Sequence, residues 1–501
     1  MNKKFYLILM FLIAFYSCKN ENTKTSTNTL AKLDLKKYPK SELINDFELL
    51  TNSLKEAHTG IYWYNTEKQF DSLVGVQKNL LKDSLNGLQF YNIVSPIVSY
   101  TKEDHCDIYL PEDVFEFLEV NGTFIPLSVL SVNEKIHILN NPSEDIEIKG
   151  FELKKINGKS ITEIYKNLFN TIASDGFIKQ SKYRWLDNIR LSTMYASTIG
   201  QPKEFEIEVS DPKTNSNTLH KIQSVNKENL KSISKEVGLY SDLEPAKFKI
   251  LQPNTAILTF NTFHNVLYEE NDIEFKKFVS NSFKKIDSLK VKNLIIDLRE
   301  NGGGTEGNED YLFSYLTDKP YNKYKDVEIS SFNYSFYQYT DYAKEEDFKE
   351  LENDIKKEHS LADDGRILRR KDIEKIEPLK PNPFLGNIYI LTSGWTYSGG
   401  AEFSSLMRQH TNAIFIGEEV GGGFYGNTSG YGLELKLPNT KISVDIPLLK
   451  FSLDVDKGEI GRGVIPDYPI QPTFEDYLNR EDAILEFAKK LSAKKTLPNS
   501  V

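Results

Sequence analysis

Two glycine-bearing segments hold the residue types best suited to chemistry: Asp297-Leu-Arg-Glu-Asn-Gly-Gly-Gly304 and Thr396-Tyr-Ser-Gly-Gly-Ala-Glu-Phe403. The first follows Val291-Lys-Asn-Leu-Ile-Ile296, an apolar run that predicts a buried strand. Three glycines at a strand end leave no Cβ atoms in the way, so their N–H groups can approach a ligand atom closely. The second follows Ile388-Tyr-Ile-Leu391, another expected strand, and leads into a run of helical texture. A serine at such a turn can serve as a nucleophile, because a helix N-terminus stabilises nearby negative charge. The pairing implies Ser398 as nucleophile and the triple glycine as part of an oxyanion hole. Ser393 is the nearest rival, but it lacks the flanking glycines and the helix. No Gly-x-Ser-x-Gly elbow surrounds either serine, which argues against an α/β-hydrolase.

Two further stretches, Gly417-Glu-Glu-Val-Gly-Gly422 and Gly463-Val-Ile-Pro-Asp467, complete an ordered set. From about Leu258 to Ile470 the chain resembles the C-terminal processing (tail-specific) serine peptidases and their tricorn-core relatives. The resemblance implies a crotonase-like ββα catalytic core and an acyl-enzyme on Ser398. It implies two oxyanion donors, the Gly399 N–H and one glycine of 302–304, for which Gly303 is chosen. Asp297 and Arg299 would hold the glycine loop in shape. Glu402, one helical turn after Ser398, would cap or buttress the serine turn.

The family uses two kinds of base. One branch takes a lysine soon after the serine, but Glu418 to Asn427 contains none and the nearest is Lys436. The tricorn-like branch takes a histidine near the end of its N-terminal domain. His105, in Thr101-Lys-Glu-Asp-His-Cys-Asp107, resembles that branch's aspartate–glycine–histidine–threonine stretch, with Asp104 and Cys106 replacing the glycine and threonine. An imidazole suits proton transfer at neutral pH. By the same resemblance Glu459 would orient the ring, with Asp104 and Asp107 as local competitors. His58 matches another family histidine and would position the N-terminal domain.

These residues need a scaffold to bring them together. The expected class is α/β and α+β multidomain. A signal peptide over 1–17 and a lipidated tether over 18–33 precede a helical N-terminal domain at 34–113. Leu43, Phe47, Leu50 and Leu54 recur there at helical spacing. A β-rich domain over 114–245 follows, with turn signals at Asn140-Asn-Pro and Ser210-Asp-Pro. Its Ile156-Asn-Gly-Lys159 turn resembles PDZ domains, although any Asn-Gly hairpin reads the same way. The catalytic core is expected over 246–490, with an insertion at about 320–382. Within that insertion Phe332 to Tyr342 is aromatic, either a lid over the substrate groove or an edge strand. Its place between the two motifs favours the lid. Lys344 to Lys375 reads as a solvated helix.

The chain has 501 residues, 39% hydrophobic and 27% charged, enough for several folded domains. A formal charge of −10 argues against a nucleic-acid partner. No Cys/His cluster or HExxH offers a metal site, and no cofactor is expected. Lys3 and Lys4 followed by the apolar run Phe5 to Tyr16 read as an export leader, too short for a spanning helix. Phe15-Tyr-Ser-Cys18 resembles a bacterial lipobox, which implies lipidation at Cys18 and a membrane contact through that anchor only. An ordinary signal peptide with an incidental cysteine is the alternative. With Cys18 lipidated, Cys106 has no disulfide partner. The expected function is a serine endopeptidase acting on peptides or unfolded proteins in the bacterial cell envelope. The alternative is a catalytically inactive lipoprotein of the same fold that binds peptides, glycans or a protein partner.

Overall fold

The computed structural model describes residues 34–234, 244–374 and 377–494. The leader, Cys18 and the tether lie outside the described residues. The chain is a mixed α/β multidomain protein with three larger sheets. A six-stranded sheet carries both glycine-bearing motifs. Its order is Ala246–Gln252, Thr255–Phe260, Asn293–Asp297, Asn387–Thr392, Ile414–Gly417, Tyr468–Pro469. The first pair is antiparallel, and every later neighbour is parallel. Parallel neighbours need crossovers. The Phe275–Ser288 helix supplies one and the Gly399–His410 helix another.

The sheet is covered on both faces, which explains its continuous apolar strands. Leu294 and Ile296 pack with Phe283, Ile286, Phe403 and Leu406 on one face. Ile295 points the other way, against Tyr389, Leu391 and Ile484 and Ala488 of the C-terminal helix. Asn293–Asp297 and Asn387–Thr392 are adjacent, with Asp297 opposite Leu391. Their C-terminal ends therefore open side by side, where open parallel sheets bind ligands.

A second sheet joins His359–Leu361, Ile367–Arg369, Tyr324–Ile329, Ser443–Leu453 and Gly426–Lys436. The Lys40–Ala57 and Gly87–Ser99 helices lay Leu43, Phe47, Leu50, Phe90 and Val94 against its Val327, Leu433, Val444 and Ile446. Ile108–Tyr109, just after His105, pairs with Ser443–Leu453 as an extra strand. The histidine segment is thus fastened to a strand that follows the serine helix in sequence. The third sheet, Val129–Val132, Lys135–Ile138, Glu152–Ile156, Glu204–Ser210 and Asn217–Gln223, builds its core with the Ile161–Phe169 and Arg190–Thr198 helices. Asn157 and Gly158 both take positive φ in the tight turn to Lys159–Ser160, as a two-residue hairpin requires.

Three local expectations change. The β-rich texture expected from Val114 begins later, because Glu112–Asn121 is a helix that buries Val114 and Leu118. Phe332 to Tyr342 is neither lid nor strand. Tyr334 and Phe336 are buried in the core under the N-terminal helices, so their apolar surface is used for packing. The charged stretch contains the helix Glu345–Glu358, but Phe348, Leu351 and Ile355 give it a buried face. A small hairpin, His359–Leu361 with Ile367–Arg369, follows.

Candidate active site

Ser398 stands at the N-terminus of the Gly399–His410 helix with φ +47° and ψ −123°. A side-chain-bearing residue at positive φ is strained, and such strain persists where the surroundings over-determine the turn. Here Tyr397 N–H donates to Asn301 O at 2.9 Å, while Gly400 N–H and Glu402 N–H donate to Tyr397 O and Ser398 O. Gly400 is packed so tightly that a Cβ there would lie 2.7 Å from Asn301 O. The serine turn is therefore clamped onto the glycine loop. Ser398 itself is half-buried, and its hydroxyl makes no hydrogen bond among the described residues.

The glycine loop meets the serine at Gly303, whose φ is +94°. A Cβ on Gly303 would sit 2.6 Å from Ser398 Cβ and 2.8 Å from Gly399 N, closer than real Cβ atoms approach. Gly303 was expected to donate to an oxyanion, but its N–H already donates to Asn301 Oδ1 at 2.9 Å. One N–H makes one good bond, so this donor is occupied. The N–H groups of Gly302, Gly304 and Gly399 have no acceptor among the described residues. Asn301 lies inside the motif but had no role in the sequence reading; its side chain also donates to Phe260 O at 3.1 Å.

Asp297 and Arg299 lie beneath the loop. Arg299 is 2% exposed and forks onto Asp297, with Nε to Oδ1 at 2.8 Å and Nη2 to Oδ2 at 2.6 Å. It reaches Asp482, at the start of the C-terminal helix, at 2.7 and 2.9 Å. Bidentate pairing of this kind fixes geometry as well as energy.

Glu402 is buried on the serine helix. It accepts from Asn427 Nδ2 at 3.0 Å and Tyr324 Oη at 3.1 Å, and pairs with Lys323 at 2.9 Å. Burial pushes its pKa up, but Lys323 and these hydrogen bonds hold it below the usual glutamate value. Lys323 also bridges Glu309 and Asp310, so one buried cation serves three carboxylates. Burial and the neighbouring acids push Glu309 up to about 7 despite Lys323. A Cβ on Gly399 would lie 3.5 Å from Glu309 Oε2, which puts this cluster directly behind the serine turn. Nothing in the sequence pattern marks Lys323, because its partners are far away along the chain.

His105 lies in the turn between the Gly87–Ser99 helix and Ile108–Tyr109. Its Nδ1 is buried without a hydrogen-bond partner. Burial lowers its pKa, opposed by the charges of Asp175 and Glu402. The charges of these two acids reach the ring; Glu459 is not among the groups that act on it. Glu459 is exposed in the loop before Gly463, where its charge acts on Arg462. Asp175 had escaped the sequence reading, since Ser174-Asp-Gly-Phe177 looks like any polar turn. His58 is 1% exposed, with both ring nitrogens unpartnered, and burial lowers its pKa to about 4. Cys106 is free and buried.

Residues 254–470 match the model of peptidase family S41. No curated protein sequence matches the chain. Among solved structures, mature CPAF aligns over 90% of this chain and 96% of its own, with a TM-score of 0.58 and 14% identity. Mature CPAF complexed with lactacystin aligns over 90% and 97%, with a TM-score of 0.60 and 14% identity. That similarity shows a shared fold over most of the chain. The matched segment, residues 254–470, holds both the glycine loop and the serine turn; this part of the chain matches peptidase family S41, and the protein is a serine-type peptidase.

Proposed function

We propose that the protein is an endopeptidase of the histidine-based, tricorn-like branch, forming an acyl-enzyme on Ser398 with His105 as general base. The observation that carries this reading is the packing of the triple-glycine loop against a half-buried serine at positive φ. In the proposed reaction Ser398 Oγ attacks the scissile carbonyl carbon and its proton passes to His105. The oxyanion is met by Gly399 N–H and by the N–H of Gly302 or Gly304, in place of Gly303. Each such donor is worth roughly 10²–10³-fold in rate. His105 then protonates the leaving amine, the C–N bond breaks, and water activated by the same imidazole hydrolyses the ester. Asp297 and Arg299 keep the loop in shape, and Glu402 buttresses the serine helix. Burial lowers the imidazole's pKa, opposed by Asp175 and Glu402, which favours the neutral form able to accept the serine proton.

A fluorophosphonate probe is expected to label Ser398 in the wild type. His105→Gln should lower both the labelling rate and kcat/KM by about 10³-fold or more. Near-normal turnover in His105→Gln would reject the base assignment. The proposed substrates are peptides or unfolded protein segments in the cell envelope. None of the described helices is long and apolar enough to cross a membrane. The lipobox-like Phe15-Tyr-Ser-Cys18 supports attachment through acyl chains on Cys18. Cells fed a fatty-acid analogue should incorporate label into the wild type and not into Cys18→Ser. An unlabelled wild-type protein starting elsewhere than Cys18 would leave a plain secreted peptidase.

A further inference from the structure

Asp175 lies in the loop after the Ile161–Phe169 helix, remote in sequence from both the histidine and the serine. It is 1% exposed. Its Oδ1 accepts from Asp104 N–H at 2.8 Å, and its Oδ2 from Gly423 N–H at 2.9 Å. The first bond holds the residue immediately before His105. The second holds a glycine loop that abuts the serine turn: a Cβ on Gly422 would lie 3.4 Å from Ser398 N and 3.6 Å from Asp175 Oδ2. The loop is itself pinned on either side. Gly176 N–H donates to Lys102 O at 2.9 Å, and Phe177 N–H donates to Gly461 O at 2.7 Å. One carboxylate thus ties the histidine turn of the N-terminal segment to the serine turn of the core.

We infer that Asp175 is the carboxylate that positions His105 and steadies its imidazolium during proton transfer. This rests on the reading of His105 as the base. A base that gains a proton in a buried site needs a nearby anion, and an unpartnered ring nitrogen needs an orienting group. Four acids crowd this region. Glu402 is paired with Lys323, Asp104 feels Lys182 and Glu103 feels Lys450. The cation that acts on Asp175, among the described residues, is His105 itself. The charge of Asp175 also acts on the Tyr64 and Tyr397 hydroxyls, and it repels Asp104 and Glu103. Burial raises its pKa, opposed by the histidine and by its two backbone donors, all of which favour the carboxylate. Glu459, the acid chosen from the family pattern, has no comparable placement.

The test is the titration of His105 in the full-length chain, followed by NMR on 13C-histidine-labelled protein and assigned with His105→Gln. In Asp175→Asn the His105 titration should move down by about one pH unit or more, because an anion that favoured imidazolium is gone. The acid limb of kcat/KM should move down with it. KM should change little, while kcat falls about 10²-fold or more. Asn keeps one of the two backbone bonds, so some loss of stability is expected as well. Asp175→Glu separates the two effects: it keeps the charge while disturbing the clamp, and should leave the acid limb near its wild-type pH even where kcat drops. A His105 titration unmoved in Asp175→Asn, or an acid limb shifted equally by Asp175→Glu, overturns the inference and leaves Asp175 a structural clamp. The base assignment fails separately, through an active His105→Gln enzyme.

Discussion

Ser398→Ala is expected to abolish peptide hydrolysis, lowering kcat by about 10⁵–10⁶-fold. The covalent route needs the Oγ atom, and the nearest alternative hydroxyl cannot replace it. Ser393 is buried, its Oγ donates to Arg299 O and accepts from Trp395 N–H, and it holds the two strand ends together. The same substitution should leave the thermal midpoint within about 2 °C of the wild type. The Ser398 hydroxyl makes no hydrogen bond among the described residues, and alanine meets the same backbone strain at φ +47°. Residual turnover from the oxyanion donors and substrate binding alone would be slow but measurable. A purified Ser398→Ala protein that cleaves peptide within tenfold of the wild-type rate would end the serine assignment, whatever the fold.

Lys323→Met is expected to be the most damaging single change to stability outside the apolar cores. The substitution keeps an unbranched chain of similar length but leaves Glu309, Asp310 and Glu402 buried around a site with no cation. Breaking a buried ion pair on one side costs about 3–5 kcal/mol. Its pH dependence has a definite sign. In the wild type Glu309 already titrates near 7 in the folded state, above its ordinary value. The folded protein therefore binds more protons there than the unfolded chain, and stability falls as pH rises through that range. Without Lys323 the already raised Glu309 and Asp310 rise further and Glu402 loses the cation that held it down, so the penalty should be mild near pH 5 and severe near pH 8. Urea-unfolding midpoints at the two pH values measure this. An equal loss at both, or none, would show that the cluster is not charged as described. Because Glu402 sits on the helix that begins after Ser398, the variant should also lose activity before it loses its fold.

The sequence determined much of this protein without help from the third dimension. Strand identity at 293–297 and 387–392 was legible because a sheet covered on both faces demands unbroken apolar runs. The glycine loop and Ser398 turn were legible because a strand end without Cβ atoms and a serine before a helix have few other uses. The Arg299 support was legible in outline, since a charged pair inside an apolar frame must find partners. The order of the four motifs was enough to recognise the family.

What the sequence left open was every relation between residues distant along the chain. It named Gly303 as a donor, because nothing in a run of three glycines says which N–H a neighbouring Asn301 will take. It pointed to Glu459 as the acid for His105, but the fold leaves Glu459 exposed, and the acid we propose instead, Asp175, comes from the middle segment. The aromatic run at 332–342 looked like a lid, since local pattern cannot distinguish apolar surface awaiting a ligand from apolar surface buried under the Lys40–Ala57 helix. Lys323 gave no signal at all. Periodicity and turn chemistry are local and set by the backbone, so they can be read from neighbours. Hydrogen-bond partners, desolvation and the charge around a ring depend on which segments pack together, and only the tertiary structure decides that.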